Sequence, residues 1–239
     1  MIAGAGVRAK TGAAVEQDWN ERQLAQQVRA AVWQVWTYLE PSIVLGCSQR
    51  TMLPAAGAHR GREVLLRRSG GGAVLAGPWM LGLSVALPVG HGLWSPDVIA
   101  SYRWLGELLA AVLREGGVLA SALPPPQARA MAPTDGLQWA CFGGLSPWEV
   151  VAGGRKIAGL AQVRSRNGVL LSAGVLLSAP DWALLCTVLG RPPAQIASLA
   201  SVTTSWAEQN GDTAMAAALP QHLDAGLRAA LRAGEISGG

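Results

Sequence analysis

Charge is scarce in this chain: 14% of its 239 residues are Asp, Glu, Lys or Arg, and the formal net charge is +4. The basic residues are scattered, so no nucleic-acid partner is expected, while an acidic protein partner stays open. Between Arg68 and Asp97 no residue carries a formal charge, a stretch long enough to raise a membrane span. Gly77-Pro78, Pro88 and the glycines Gly82, Gly90 and Gly92 cut it into strand-length pieces, which points to a buried sheet instead. Cysteine is scarce too. Cys47, Cys141 and Cys186 are odd in number, widely spaced and form no paired motif, which speaks against a disulfide scaffold or a metal site and for a reducing, cytoplasmic setting. The opening Met1 to Lys10 lacks an apolar core followed by a small-residue cleavage site, so no secretory signal is expected. Histidine is confined to His59, His91 and His222, none inside a motif.

What is abundant is glycine, and one cluster of it resembles a site. Arg67-Arg68-Ser69-Gly70-Gly71-Gly72-Ala73 is followed by Val74-Leu75-Ala76-Gly77. Consecutive glycines are tolerated where φ must be positive or where a ligand lies against the main chain. Two arginines beside them supply forked donors suited to a phosphate or carboxylate. Glu63 to Leu66 reads as a strand entering the loop and Ala73 to Leu75 as a strand leaving it. The competing reading is a glycine-rich hairpin tip with two solvated arginines.

Along the chain, residues 1–16 are small and polar and expected to be disordered. One main domain is expected over 17–210 and a helical tail over 211–239. Asp18 and Asn20 are candidate N-caps for a helix from Glu21 to Ala31. Val32 to Trp36 and Ser42 to Gly46 read as neighbouring strands, with a helix near Met52 to Ala58. Trp79 to Leu87 is expected to be a central strand. Ser95-Pro96-Asp97 signals a helix start, with a capping hydroxyl followed by proline, and Gly116-Gly117 its end. Trp148 to Val151, Gly153-Gly154 and Arg155 to Arg164 form a hairpin, and Asn167-Gly168 turns into the next strand. Helices are predicted over Asp181 to Leu189, 194–200, 204–209 and 221–233.

The segment Gly153-Gly154-Arg155-Lys156-Ile157-Ala158-Gly159-Leu160-Ala161-Gln162, taken with Arg67 to Val74, resembles the lipoate-protein ligase A family of the biotin and lipoyl protein ligase superfamily. The match covers roughly Val32 to Leu177, and two linked motifs in order are more specific than one glycine loop. The resemblance implies an α/β fold, a mixed central sheet flanked by helices, like the class II synthetase and biotin ligase catalytic domains. It implies attachment of a lipoyl or octanoyl group to a lysine of a lipoyl carrier domain, from a 2-oxoacid dehydrogenase E2 or a glycine cleavage carrier protein. Two routes are open: ATP with Mg activating lipoate or octanoate as an acyl-adenylate, or transfer from acyl carrier protein. A non-catalytic lipoyl-binding member is the third alternative.

In the family the lysine matching Lys156 contacts the acyl carboxylate or its activated form, and a cation suits charge that is negative throughout the reaction. It can act as a base if Arg155 and Arg164 lower its pKa. Arg67, Arg68, Gly70, Gly71, Gly72 and Ala73 would cradle the acyl group, with Gly159 and Gln162 beneath it. Cys141, fifteen residues before Lys156, lies in a segment resembling the branch that works as octanoyltransferases through a cysteine nucleophile, and a thiol near a lysine has a mechanism. Its bland alternative is a buried small hydrophobe. The chain departs from the family where histidines are usual, carrying Ala76 after the glycine loop and Ala173 in the later hairpin. A reaction through those imidazoles is therefore excluded.

Overall fold

The strand Met80–Leu87 is buried along its whole length, as its uncharged sequence requires. Its alternation sorts large from small: Leu81, Leu83, Val85 and Leu87 face one core. Met80, Gly82, Ser84 and Ala86 face the other way, where Gly82 admits the Tyr38 side chain, whose hydroxyl would lie 2.0 Å from a Cβ there. The structure is a computed structural model, and it describes residues 6–7, 11–53, 63–131, 136–210 and 213–237.

In chain order the elements are α1 (Ala13–Ala25), β1 (Val32–Thr37), β2 (Ser42–Leu45), β3 (Val64–Leu66), β4 (Val74–Ala76), β5 (Met80–Leu87), α2 (Ala100–Glu115), β6 (Ala120–Ala122), α3 (Pro125–Ala130), β7 (Val150–Ala152), β8 (Arg155–Ser165), β9 (Gly168–Leu176), α4 (Trp182–Val188), α5 (Ala194–Val202), α6 (Trp206–Asn210) and α7 (Thr213–Ser237). A six-stranded sheet runs β1-β5-β9-β8-β7-β6 and a three-stranded one β3-β2-β4. Every pairing in the large sheet is antiparallel. The parallel pairing is β2 with β3, in the small sheet. Helices α2 and α7 cover one face of the large sheet, through Leu105, Leu109, Val112 and Leu113 and through Leu219, Leu223, Leu227 and Leu231. Helix α1 and the small sheet cover the other. No helix among the described residues is long and apolar enough to cross a membrane.

Four sequence expectations change. The first helix starts at Ala13 and ends at Ala25, earlier than the expected Glu21 to Ala31, because its inner face carries Glu16 and Asn20 among Ala13, Trp19 and Leu24 and so lacks a clean apolar period. Strands β1 and β2 are not neighbours: β1 pairs with β5 and β2 with β3 and β4. Helix α2 begins at Ala100. Its first turn is capped by the Asp97 carboxylate, which accepts from Ile99 N at 2.7 Å and Ala100 N at 2.9 Å, while the Ser95 hydroxyl accepts only from Asp97 N. The last helix spans Thr213–Ser237 through Pro220, and its Asp224 carboxylate accepts from Trp33 Nε1 at 2.7 Å. The helix expected near Met52 to Ala58 falls largely outside the described residues; just before it, Cys47–Met52 form a 3-10 turn.

Candidate active site

Because β3 and β4 both pair with β2, the glycine loop between them crosses over that strand and is no hairpin tip. Its glycines meet protein backbone. A Cβ on Gly46, at the end of β2, would lie 1.9 Å from Gly71 O, and one on Gly72 would lie 2.5 Å from the Ala140 carbonyl carbon and 2.7 Å from Cys141 N. Gly71 has φ +94°, a region open chiefly to glycine. The close approach lets Ala73 N donate to Trp139 O at 2.7 Å and Cys141 N donate to Ala73 O at 2.9 Å. Arg67, 8% exposed, turns its guanidinium back onto the loop, donating through Nη2 to Gly70 O and Gly72 O at 2.9 Å each. Gln49 adds a strut: Gly46 N donates to its Oε1, and its Nε2 donates to Trp139 O at 2.8 Å. The loop thus serves as a seat for the segment that carries Cys141.

In front of this seat lies a cleft open to solvent, bounded by α1, the small sheet, β8 and β9. Cys141, Arg67, Arg68 and Gly159 border it, as do Ala76 and Ala173. Gly70, Gly71, Gly72 and Ala73 do not line it: Gly72 and Ala73 meet the Cys141 segment, Gly71 packs against Gly46, and Gly70 is exposed with nothing within 4 Å of its Cβ position. Gln162 is also elsewhere: its Nε2 donates to Val98 O at 2.7 Å and its Oε1 accepts from Arg164 Nε.

Lys156 is brought close to Cys141, but behind it. Strand pairing skips here, Val150 opposite Ala158 and Val151 opposite Lys156, and such a bulge re-aims side chains. The ammonium, 2% exposed, donates to Cys141 O at 2.7 Å, Gly144 O at 3.0 Å and Glu149 Oε2 at 2.7 Å. The arginines expected to act on it are engaged elsewhere. Arg155 bonds Thr203 O and pairs with Glu208, and Arg164 donates to Ser95 O and Pro96 O at the approach to α2. Of the other thiols, Cys47 is exposed and Cys186 buried.

Sequence reasoning missed two acids. Glu16 borders the cleft and accepts from the Tyr38 hydroxyl at 2.7 Å. Burial raises its pKa from 4.5 to about 7, against the lowering effects of Tyr38, Arg67, Asn20 and Ser84. It sits in a stretch whose polar periodicity looked unstructured. Glu149 left a legible trace in Ser146-Pro147-Trp148-Glu149, the Ser-x-x-Glu spacing of a capping box, and Ser146 N does donate to Glu149 Oε2 at 2.7 Å.

The chain thus combines an antiparallel sheet flanked by helices with a cleft bordered by a thiol that a buried lysine backs. Two solved structures share that fold. A lipoate-protein ligase A bound with ATP is 19% identical over 97% of this chain and 86% of its own, with TM-score 0.68. A bipartite lipoate protein ligase from Thermoplasma acidophilum, from a study that includes its E2 lipoyl domain, is 18% identical over 97% and 85%, with TM-score 0.66. The sequence profile of the lipoyl protein ligase A/B catalytic domain matches residues 14–223, and the chain belongs to that family. It is similar to octanoyltransferases named LipM: 35% identical over 127 residues to that of Symbiobacterium thermophilum, covering 53% of this chain and 45% of the relative, and 31% identical over 160 residues to that of Moorella thermoacetica, covering 66% and 57%. The chain thus spans about half the length of these relatives.

Proposed function

We propose that this protein transfers an octanoyl or lipoyl group to the ε-amine of a lysine on a lipoyl carrier domain, with Cys141 as the nucleophile. The observation that carries the reading is the placement of Cys141 at the cleft wall, its N held by Ala73 O; the similarity to octanoyltransferases supports it. The Cys141 thiol would give up its proton, which passes to the departing carrier sulfur, and attack the thioester carbonyl of octanoyl acyl carrier protein. The carrier thiol leaves with a proton, and the octanoyl group remains as a thioester on Cys141. The acceptor lysine amine then attacks that carbonyl, forms the amide and returns the thiol. The cleft, walled by Leu24, Val44, Met80, Leu160, Val163 and Leu170, suits an acyl chain, whose burial is favourable by roughly 0.8 kcal/mol per methylene. The acceptor would be the lipoyl domain of a 2-oxoacid dehydrogenase E2 or a glycine cleavage carrier protein, in the cytoplasm.

The adenylate route is the second reading, favoured by the open side of the glycine loop. Arg68 is exposed at the cleft, and nothing lies within 4 Å of a Cβ placed on Gly70, so phosphates of ATP, with Mg, would find a cation and bare backbone there. One experiment separates the routes. The protein is incubated with octanoyl acyl carrier protein, or with lipoate and ATP, and both it and a lipoyl domain are weighed. The cysteine route leaves an octanoyl mass on this chain that hydroxylamine removes and Cys141→Ser lacks. An acceptor modified only with lipoate and ATP, equally by Cys141→Ser, overturns it in favour of the adenylate; an unmodified acceptor in both arms leaves the binding-only reading.

A further inference from the structure

We propose that Glu149 is the positioning residue for the Cys141 thiol, acting through Lys156 to fix the turn that carries it. The proposal rests on the cysteine route above for its meaning in catalysis, but its geometry is independent of that route. An ammonium has three N–H groups, and Lys156 directs its Nζ to Cys141 O, Gly144 O and Glu149 Oε2. Both carbonyls belong to the turn that starts at Cys141–Gly143. Glu149, 2% exposed, also accepts from Ser146 N at 2.7 Å and, through Oε1, from Leu160 N at 3.2 Å. It therefore ties the far end of the same segment to β8.

A buried ion pair is a poor way to gain stability, since a well-packed apolar pair often does as well. An apolar pair would, however, leave the carbonyls of Cys141 and Gly144 without donors. What the charges provide is a fixed turn: Cys141 is gripped at its N by Ala73 O and at its O by Lys156, which leaves chiefly its side-chain rotation free. A second observation points the same way. Trp148, next to Glu149, has φ 70° and is the one described non-glycine residue with positive φ. Bulky residues sit there only under constraint from their surroundings. Here Trp148 N donates to Leu123 O at 2.6 Å, the Arg103 guanidinium lies 5.4 Å from its ring centre, and a Cβ on Gly106 would come within 2.1 Å of its carbonyl oxygen. The constrained backbone thus directly precedes Glu149, whose carboxylate is buried and held by Lys156, Ser146 N and Leu160 N.

The test uses the whole chain with Glu149→Gln, Glu149→Asp, Lys156→Met and the double variant Glu149→Gln/Lys156→Met. Three quantities are read: octanoyl transfer kcat and KM, the iodoacetamide alkylation rate at Cys141 by peptide mass, and cooperative unfolding. Glu149→Gln should lower kcat by about tenfold or more with KM for the octanoyl carrier little changed, and should speed alkylation as the turn loosens. Glu149→Asp should recover part of kcat. The double variant, which leaves no buried charge unpaired and so stays informative where a single variant unfolds, should be no slower than the worse single variant, because the two residues act as a unit. Wild-type kcat and alkylation in Glu149→Gln, or losses that simply multiply in the double variant, would overturn the proposal. If the wild-type chain takes up no octanoyl group, the cysteine route fails by itself, and alkylation alone decides whether Glu149 positions the thiol.

Discussion

Glu16 shows how one side chain can carry a pH signature into the fold. Desolvation raises its carboxyl from 4.5 to about 7, and the groups facing it are Tyr38 across a 2.7 Å hydrogen bond, Arg67, Asn20 and Ser84. Below pH 4.5 the carboxyl is protonated in both the folded and the unfolded chain, and the full stability is present. As pH rises from 4.5 through 7 the unfolded chain ionises first. Stability is then lost across that window, by on the order of 3 kcal/mol when complete. Glu16→Gln removes the titration, so its stability relative to wild type should rise between pH 4.5 and 8 in urea unfolding. Parallel profiles for the two proteins would show that Glu16 ionises as it does in water. At the same scale Lys156 combines two roles that its sequence position hides, since its head group completes a buried ion pair as well as standing behind the thiol. Lys156→Ala should therefore weaken the fold along with the reaction, because it leaves the Glu149 carboxylate buried without its cation.

At the scale of elements, the glycine loop, the 3-10 turn at Cys47–Met52 and the Cys141 turn form one backbone assembly held by close approach. Gly72→Ala is the direct probe. Its methyl would meet the backbone of Ala140 and Cys141 at 2.5 to 2.7 Å, and backbone cannot rotate out of the way as a side chain can. The turn should shift and stability fall by about 1–3 kcal/mol, the usual scale of overpacking, with acyl transfer falling further than stability alone accounts for. Gly70→Ala is the control, because nothing lies within 4 Å of that site, and it should stay within about 0.5 kcal/mol of wild type. Equal losses in the two variants would show that the glycines act through chain entropy alone.

At the scale of the whole molecule, the two faces of the large sheet have divided their tasks. One is filled by α2 and α7 and is mainly apolar, with the Trp33 to Asp224 hydrogen bond inside it. The other is floored by small residues such as Gly82, Ser84, Gly159 and Ala161, and it holds the cleft. The last helix therefore belongs to the core that braces the site from behind. Leu227, with no exposed surface, should cost about 2–5 kcal/mol when truncated to Ala, measured as a shift in the denaturant midpoint. A shift below about 0.5 kcal/mol would make that helix an appendage.

The sequence by itself determined the strands and the family. Val32 to Trp36, Trp79 to Leu87 and the hairpin around Asn167-Gly168 were legible because alternation and turn chemistry are local, and the Arg67 and Lys156 motifs because their order along the chain is specific. Tertiary structure alone decided which strands are neighbours, since the apolar runs of β1 and β2 are equally fit to pair with several partners and only the crossover of the glycine loop separates them into two sheets. It also decided what the motif residues touch. Sequence places Arg67, Gly72 and Lys156 beside a ligand; folding turns the Lys156 ammonium and the bare backbone of Gly72 to the Cys141 segment, and the Arg67 guanidinium to the carbonyls of Gly70 and Gly72 at the edge of the cleft, because buried carbonyls and the Glu149 carboxylate must be paired once water is excluded.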